Sequence, residues 1–148
     1  MLTNNSERDD FDPSFWGPLK WKVLFIDGLS YPSHNPSLNN RTYYAMYYKS
    51  LHTVVPCKVC RNSVREFIKN HPIEKHLDSK LSLLKWITKL YNEKKPSEKR
   101  IKTFDDIRKI VEPDTTVNQL LTSLEQSYPS FRFSRWDKDK DKDKDKDK

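Results

Sequence analysis

Apolar side chains in this chain recur at helical spacing, segment after segment, and a proline follows most of the segments. Trp21, Leu24, Phe25 and Leu29 mark one stripe, and Tyr44, Tyr47, Tyr48, Leu51 and Val55 a second. Val64, Phe67 and Ile68 mark a third, and Leu83, Trp86, Ile87, Leu90 and Tyr91 a fourth. Residues three and four apart share a helix face, so each stripe can be turned toward a common core. Pro56, Pro72, Pro96 and Pro113 punctuate the stripes, and a ring without an N–H stops a helix from continuing. No segment shows a convincing two-residue alternation, and 2 glycines are too few for a turn-dense all-β fold. The pattern predicts an all-α protein, a four-helix bundle with a short fifth helix.

The first helix is expected from Ser14 to Tyr31, with Asp12 as its cap and Trp16-Gly17-Pro18 as a lead-in turn. The second is expected over 38–55, the third over 57–69 and the fourth over 79–94. Thr103 caps a shorter fifth helix carrying Phe104, Ile107, Ile110 and Val111. Residues 115–126 form one more amphipathic segment, and Phe131 to Trp136 is expected to pack back as an edge. Four tyrosines, Tyr43, Tyr44, Tyr47 and Tyr48, read as core packing with their hydroxyls at the rim. The chain thus divides into a flexible N-terminus (1–13), a helical domain (14–112), a C-terminal extension (113–136) and a charged tail (137–148). The tail has no apolar residue to bury and is expected to be disordered.

The formal net charge is +7, yet the Asp-Lys alternation of residues 137–148 sums to zero, so the whole excess lies upstream. Spread lysines and arginines without a nucleic-acid motif read as a solvated basic face, which argues against a nucleic-acid partner. The same charge could receive the phosphates of a dinucleotide. No run of about 18 apolar residues occurs, and the N-terminus lacks a charged-then-apolar leader, so a cytosolic setting without membrane insertion is expected.

The chain's 2 cysteines form one motif, Cys57-Lys58-Val59-Cys60, directly after Pro56. Sulfurs at this spacing can close a small disulfide ring and open it again. A cysteine at a helix start feels the positive end of the helix, which favours its thiolate. Three chemistries fit the pair: redox exchange, half of a metal site, or a structural pair. His71 and His76 could complete a zinc Cys2His2 set with it, although the 10 residues between pairs are fewer than in the usual finger. A basic interaction module without catalysis is a third reading. No GxSxG, Gly-rich nucleotide loop or HExxH is present.

Several short elements also occur together: Trp16-Gly17-Pro18 with Trp21, Tyr31-Pro32, Pro56-Cys57-Lys58-Val59-Cys60, Asn70-His71-Pro72, and Trp86 with Asn92. In these elements and their order, residues 14–112 resemble the FAD-linked sulfhydryl oxidases of the Erv/ALR type, especially the short versions of large DNA viruses. The resemblance implies a bundle that holds FAD against a Cys57–Cys60 disulfide. It implies a thiol oxidase in which a protein dithiol reduces that disulfide through Cys57. Cys60 then passes two electrons to the flavin, and oxygen leaves as hydrogen peroxide. Carried over by position, Cys57 and Cys60 are catalytic. Gly17, Trp21, Phe25, Trp86, Tyr91, Asn92 and Lys95 bind the cofactor, and no metal is implied.

Phe25 and Tyr91 stand where the family has histidines, and Lys94 and Lys95 where it has valine and asparagine. Both rings can still stack, but each lost ring-nitrogen hydrogen bond is worth about 1 kcal/mol net. With no second cysteine pair, substrate thiols meet Cys57 directly or through a thioredoxin-like carrier. The resemblance further implies a homodimer through the early helices, and a host-cytoplasmic or virion-associated setting.

Overall fold

The computed structural model describes residues 8–111 and 114–133. Helix α1 spans Pro13–Leu29, α2 Leu38–Lys49, α3 Leu51–Val54, α4 Lys58–Asn70, α5 Lys80–Asn92, α6 Phe104–Val111 and α7 Thr115–Ser127. Single 3-10 turns lie at Ile73–His76 and Ser97–Lys99. Among the described residues there is no strand, so the all-α class follows from the stripes. The starts are set by side chains that accept the first unpaired N–H groups. Asp12 accepts from Ser14, Ser37 from Asn40, Ser79 from Ser82 and Asp114 from Val117.

Two boundaries differ from expectation. Gly17 and Pro18 lie inside α1 rather than in a lead-in turn, because Pro13 at the helix start and the Asp12 cap begin the helix before them. The helix expected over 38–55 is broken at Ser50 into α2 and α3. There Ser50 Oγ donates to the Tyr47 carbonyl at 2.6 Å, a back-bond that bends helices. Val55 then ends α3 in an extended conformation, ahead of the cysteines. Pro113, Ser134 to Trp136 and the 137–148 tail lie outside the described residues, as do residues 1–7.

Helix α5 is the centre of the packing. Leu83, Leu84, Trp86 and Ile87 on it have no exposed surface. Helix α1 packs on α5 and α6, α3 packs on α4, and α7 closes over α6 and α1. Where α1 approaches most closely, a Cβ on Gly28 would run into Ile87 and come within 3.2 Å of the Tyr48 hydroxyl. The tyrosines bind α2 to α1. Tyr48 donates to the Leu24 carbonyl at 2.7 Å, Tyr47 to Asp27 Oδ2 at 2.5 Å, and Tyr44 shares a 2.7 Å bond with Ser30. The Tyr48 hydroxyl is therefore inside rather than at the rim, and its burial pushes the phenol well above its ordinary pKa. After α7 the chain returns, with the Phe133 N–H on the Lys102 carbonyl at 3.2 Å and Phe104, Phe131 and Phe133 packed edge to face or tilted.

The loop after α5 is fixed by Asn92, whose Nδ2 donates to the Ile101 carbonyl at 3.1 Å while its Oδ1 accepts the Ile101 N–H at 2.8 Å. Both groups are buried, so truncation strands them. Asn92→Ala is expected to lose about 2–4 kcal/mol of stability in urea unfolding. A loss well under 1 kcal/mol would contradict this role.

Candidate active site

The route into α4 places the cysteines. A tight turn puts the Cys57 N–H on the Val55 carbonyl at 2.9 Å, and the Cys57 carbonyl accepts the Arg61 N–H at 2.8 Å to begin the helix. Cys57 is the cap residue of α4, in an extended conformation. Cys57 and Cys60 are joined in a disulfide, with Cα atoms 5.1 Å apart. Cys60 packs against the core, while its neighbour Val59 is 73 % exposed. Both cysteines are half-buried, and Cys60 is the one packed against the core.

The electrostatics of this helix start come from four groups. Cys57 Sγ accepts the Cys60 N–H at 3.2 Å. That donor and the positive end of α4 favour a thiolate at Cys57 once the ring opens. The Lys58 N–H meets both carboxylate oxygens of Asp10, at 3.1 and 3.2 Å. The largely buried Arg61 guanidinium lies 3.8 Å from the same carboxylate and donates to the Val55 carbonyl at 2.8 Å. Phe11 holds Asp10 in place: its N–H donates to the Pro56 carbonyl at 2.8 Å, and its carbonyl accepts Trp16 Nε1 at 2.9 Å. Residues 8–12, expected to belong to a flexible N-terminus, thus lie across the motif. Sequence reading missed Asp10 and Arg61; Asp10 is 48 positions from Lys58, and no helical period links them.

The expected cofactor residues divide into two groups. Trp21, Phe25 and Tyr91 come together, with Trp21 and Tyr91 edge-to-face at 5.0 Å and Phe25 about equally far from both, at 6.2 and 6.1 Å. Lys95 Nζ lies 4.8 Å from the centre of the Tyr91 ring, a cation–π contact. Phe25 is buried, while Trp21 and Tyr91 are half-buried, and burial raises the Tyr91 pKa. Gly17 lies one turn before Trp21; it is buried, yet a Cβ there would meet no heavy atom within 4 Å. Thr88 lies one turn before Tyr91, and its buried hydroxyl has no hydrogen-bond partner among the described residues. Aromatic faces, a cation, space beside a backbone and an unmet hydroxyl suit a flat ring carrying phosphates.

Trp86 and Asn92 are placed otherwise. Trp86 is enclosed by Tyr48 and Phe67 and donates from Nε1 to the His71 carbonyl at 2.8 Å. At about 100° per residue, the five steps from Trp86 to Tyr91 turn α5 by roughly 140° beyond a full circle, so the two rings leave on different faces. The Asn92 amide anchors the Ile101 backbone. A groove of about 300 Å³ runs between α4 and the end of α5, from Val59 beside the motif to Glu93 and Lys94. The zinc arrangement finds no support: the cysteines are bonded to each other, and no three His, Cys, Asp or Glu side chains converge among the described residues.

Three comparisons bear on the chain. A model of the Erv1/Alr family matches residues 19–106. A protein named as a probable FAD-linked sulfhydryl oxidase, from Acanthamoeba polyphaga mimivirus, is 28% identical over 81 residues, which cover 54% of this chain and 56% of that protein. The match thus spans little more than half of the relative's length. The crystal structure of the yeast Erv1 core superposes with a TM-score of 0.53 over 83% of this chain and 89% of that one, at 16% identity, a likeness of fold.

The Asp10 carboxylate opposes negative charge on the sulfurs, so Asp10→Asn should favour the reduced, thiolate form. The reduction potential of the motif should rise by roughly 10–30 mV in a glutathione redox titration. An unchanged or lower potential would contradict the electrostatic assignment.

Proposed function

We propose a function from one settled premise: the chain belongs to the Erv1/Alr family. It is an FAD-dependent thiol oxidase that makes disulfides in protein substrates, with Cys57 and Cys60 as the reacting pair. The observation that carries this reading is the Cys57–Cys60 disulfide at the start of α4, half turned to the surface. The mimivirus relative, by its name an FAD-linked sulfhydryl oxidase, supports it.

The chain's own residues account for the thiol chemistry. A substrate thiolate attacks Cys57 Sγ, the sulfur farther from the core. The Cys57–Cys60 bond breaks, and Cys60 leaves as a thiolate at the positive end of α4. The second substrate thiol then attacks the substrate sulfur of the mixed disulfide. A disulfide forms in the substrate, and Cys57 departs as a thiolate that the Cys60 N–H can hold. Lys58 and Arg61 stabilise the negative charge, and Asp10 limits how far it is favoured. Bound FAD supplies the two-electron acceptor that restores the disulfide and passes the electrons to oxygen, which leaves as hydrogen peroxide.

Trp21, Phe25 and Tyr91 are assigned to the cofactor rings, Gly17 to close backbone approach and Lys95 to the phosphates. Trp86 and Asn92 support the site from behind, through the core and the Ile101 loop. Substrates meet Cys57 directly or through a thioredoxin-like carrier. A homodimer through α1 and α2 is supported by Phe15, Leu19 and Val23, exposed at four-residue spacing on α1, with Tyr43 and Met46 exposed on α2. Among the described residues no helix is long and apolar enough to cross a membrane. The host-cytoplasmic or virion setting is proposed from the viral relative alone.

Oxygen consumption with dithiothreitol should fall at least about a hundredfold in both Cys57→Ser and Cys60→Ser, since each removes one half of the exchange. When Cys57 of Cys60→Ser is first converted to a mixed disulfide with thionitrobenzoate, a single-thiol protein substrate should displace the thionitrobenzoate and stay bound at Cys57, visible by mass. Retained oxidase activity in either variant would sink the assignment. Leu19→Asp should convert a dimer to a monomer in sedimentation, and an unchanged mass would remove α1 from the interface.

A further inference from the structure

The opposite end of α5 holds a second feature that the redox chemistry does not use. A groove of about 510 Å³ opens between the first turn of α5, the loop after α1 and the second half of α7. Its volume falls in the range of small-molecule sites, roughly 300–1,000 Å³. Lys80 lines it, with 7 % of its surface exposed. Among the described residues the ammonium has no ion pair or hydrogen bond, and no carboxylate lines the groove. A cation that is partly desolvated without a partner among the described residues is unfavourable, and here burial lowers the amine's pKa.

The neighbours of Lys80 sort by chemistry. Ser33, Ser123 and His34 offer polar hydrogens, while Leu124 and Tyr128 form an apolar wall. Ser79 caps α5 immediately before Lys80, so the positive end of a 13-residue helix is added to the lysine. Along the α5 axis, at 1.5 Å per residue, Lys80 lies about 16 Å from Tyr91. We propose that this groove binds a small ligand with a phosphate head group on an apolar body, and that Lys80 holds the phosphate. The phosphate supplies the charge that the buried ammonium lacks, and the body covers the apolar wall. Helix α7, one wall of the groove, lies outside the part of the chain matched by the family model, residues 19–106. The outcome is therefore independent of the oxidase reading.

The test uses the full chain with phenyl phosphate and inorganic phosphate at matched ionic strength. Phenyl phosphate is expected to bind saturably below about 10 mM and at least about tenfold more tightly than inorganic phosphate, because its ring is buried. Lys80→Met should weaken that binding at least about tenfold. Its ligand-free melting temperature should equal or exceed that of the parent, since the desolvated charge is gone. In the unmutated protein the Lys80 side-chain carbon resonances should shift with occupancy, a readout that needs no variant. Absence of saturable binding, affinity unchanged by Lys80→Met, or unmoved Lys80 resonances would overturn the site. Equal affinity for the two phosphates would overturn the apolar half of the proposal.

Discussion

The first turn of α4 is the constraint on which the rest depends. A helix start leaves backbone N–H groups without helical partners. Here two of them are taken up by functional atoms: the Cys60 N–H by Cys57 Sγ, and the Lys58 N–H by the Asp10 carboxylate. The same geometry that ends one polar deficit also prepares a sulfur to carry negative charge. The break at Ser50, the short α3 and the extended Val55 deliver the chain to this start, and the buried Arg61 locks it to the Val55 carbonyl.

Helix α5 converts that local arrangement into a site. Its core-facing residues fix the bundle, with Trp86 wedged between α2 and α4 and tied to the end of α4 through the His71 carbonyl. The face turned away from Trp86 brings Tyr91 against Trp21 and Phe25 of α1. One helix thus separates a rigid side from a receptive side. The replacement of two family histidines by Phe25 and Tyr91 leaves an aromatic wall with fewer hydrogen-bonding atoms. On the proposed assignment, a flavin bound there would lean on stacking and on cations such as Lys95.

Much of the fold was legible because amphipathic stripes report burial directly. The four main stripes, the short α6 and the α7 segment all became helices close to their expected bounds. Ser50 was invisible because its break comes from a single side-chain hydrogen bond that no periodicity records. The buried Tyr48 hydroxyl was misplaced to the rim because its acceptor, the Leu24 carbonyl, lies on another helix. At the site, the spacing of the cysteine pair left redox, metal and structural readings open, and the flanking motifs carried the redox one. Trp86 and Asn92 were grouped with Tyr91 by sequence motif, whereas the turn of α5 sends Trp86 into the core and Asn92 to Ile101. Asp10 could not be found at all, since only the folded chain brings residue 10 to residue 58.

The central claim is that electrons pass from a dithiol through Cys57 and Cys60 to a bound flavin. It is tested most directly by the visible absorption of the purified protein before and after anaerobic addition of dithiothreitol. The account predicts about one flavin per chain, bleached by the dithiol in the parent protein and left unbleached in Cys60→Ser. Protein that stays colourless after reconstitution with FAD, or flavin that bleaches equally fast without Cys60, would contradict it.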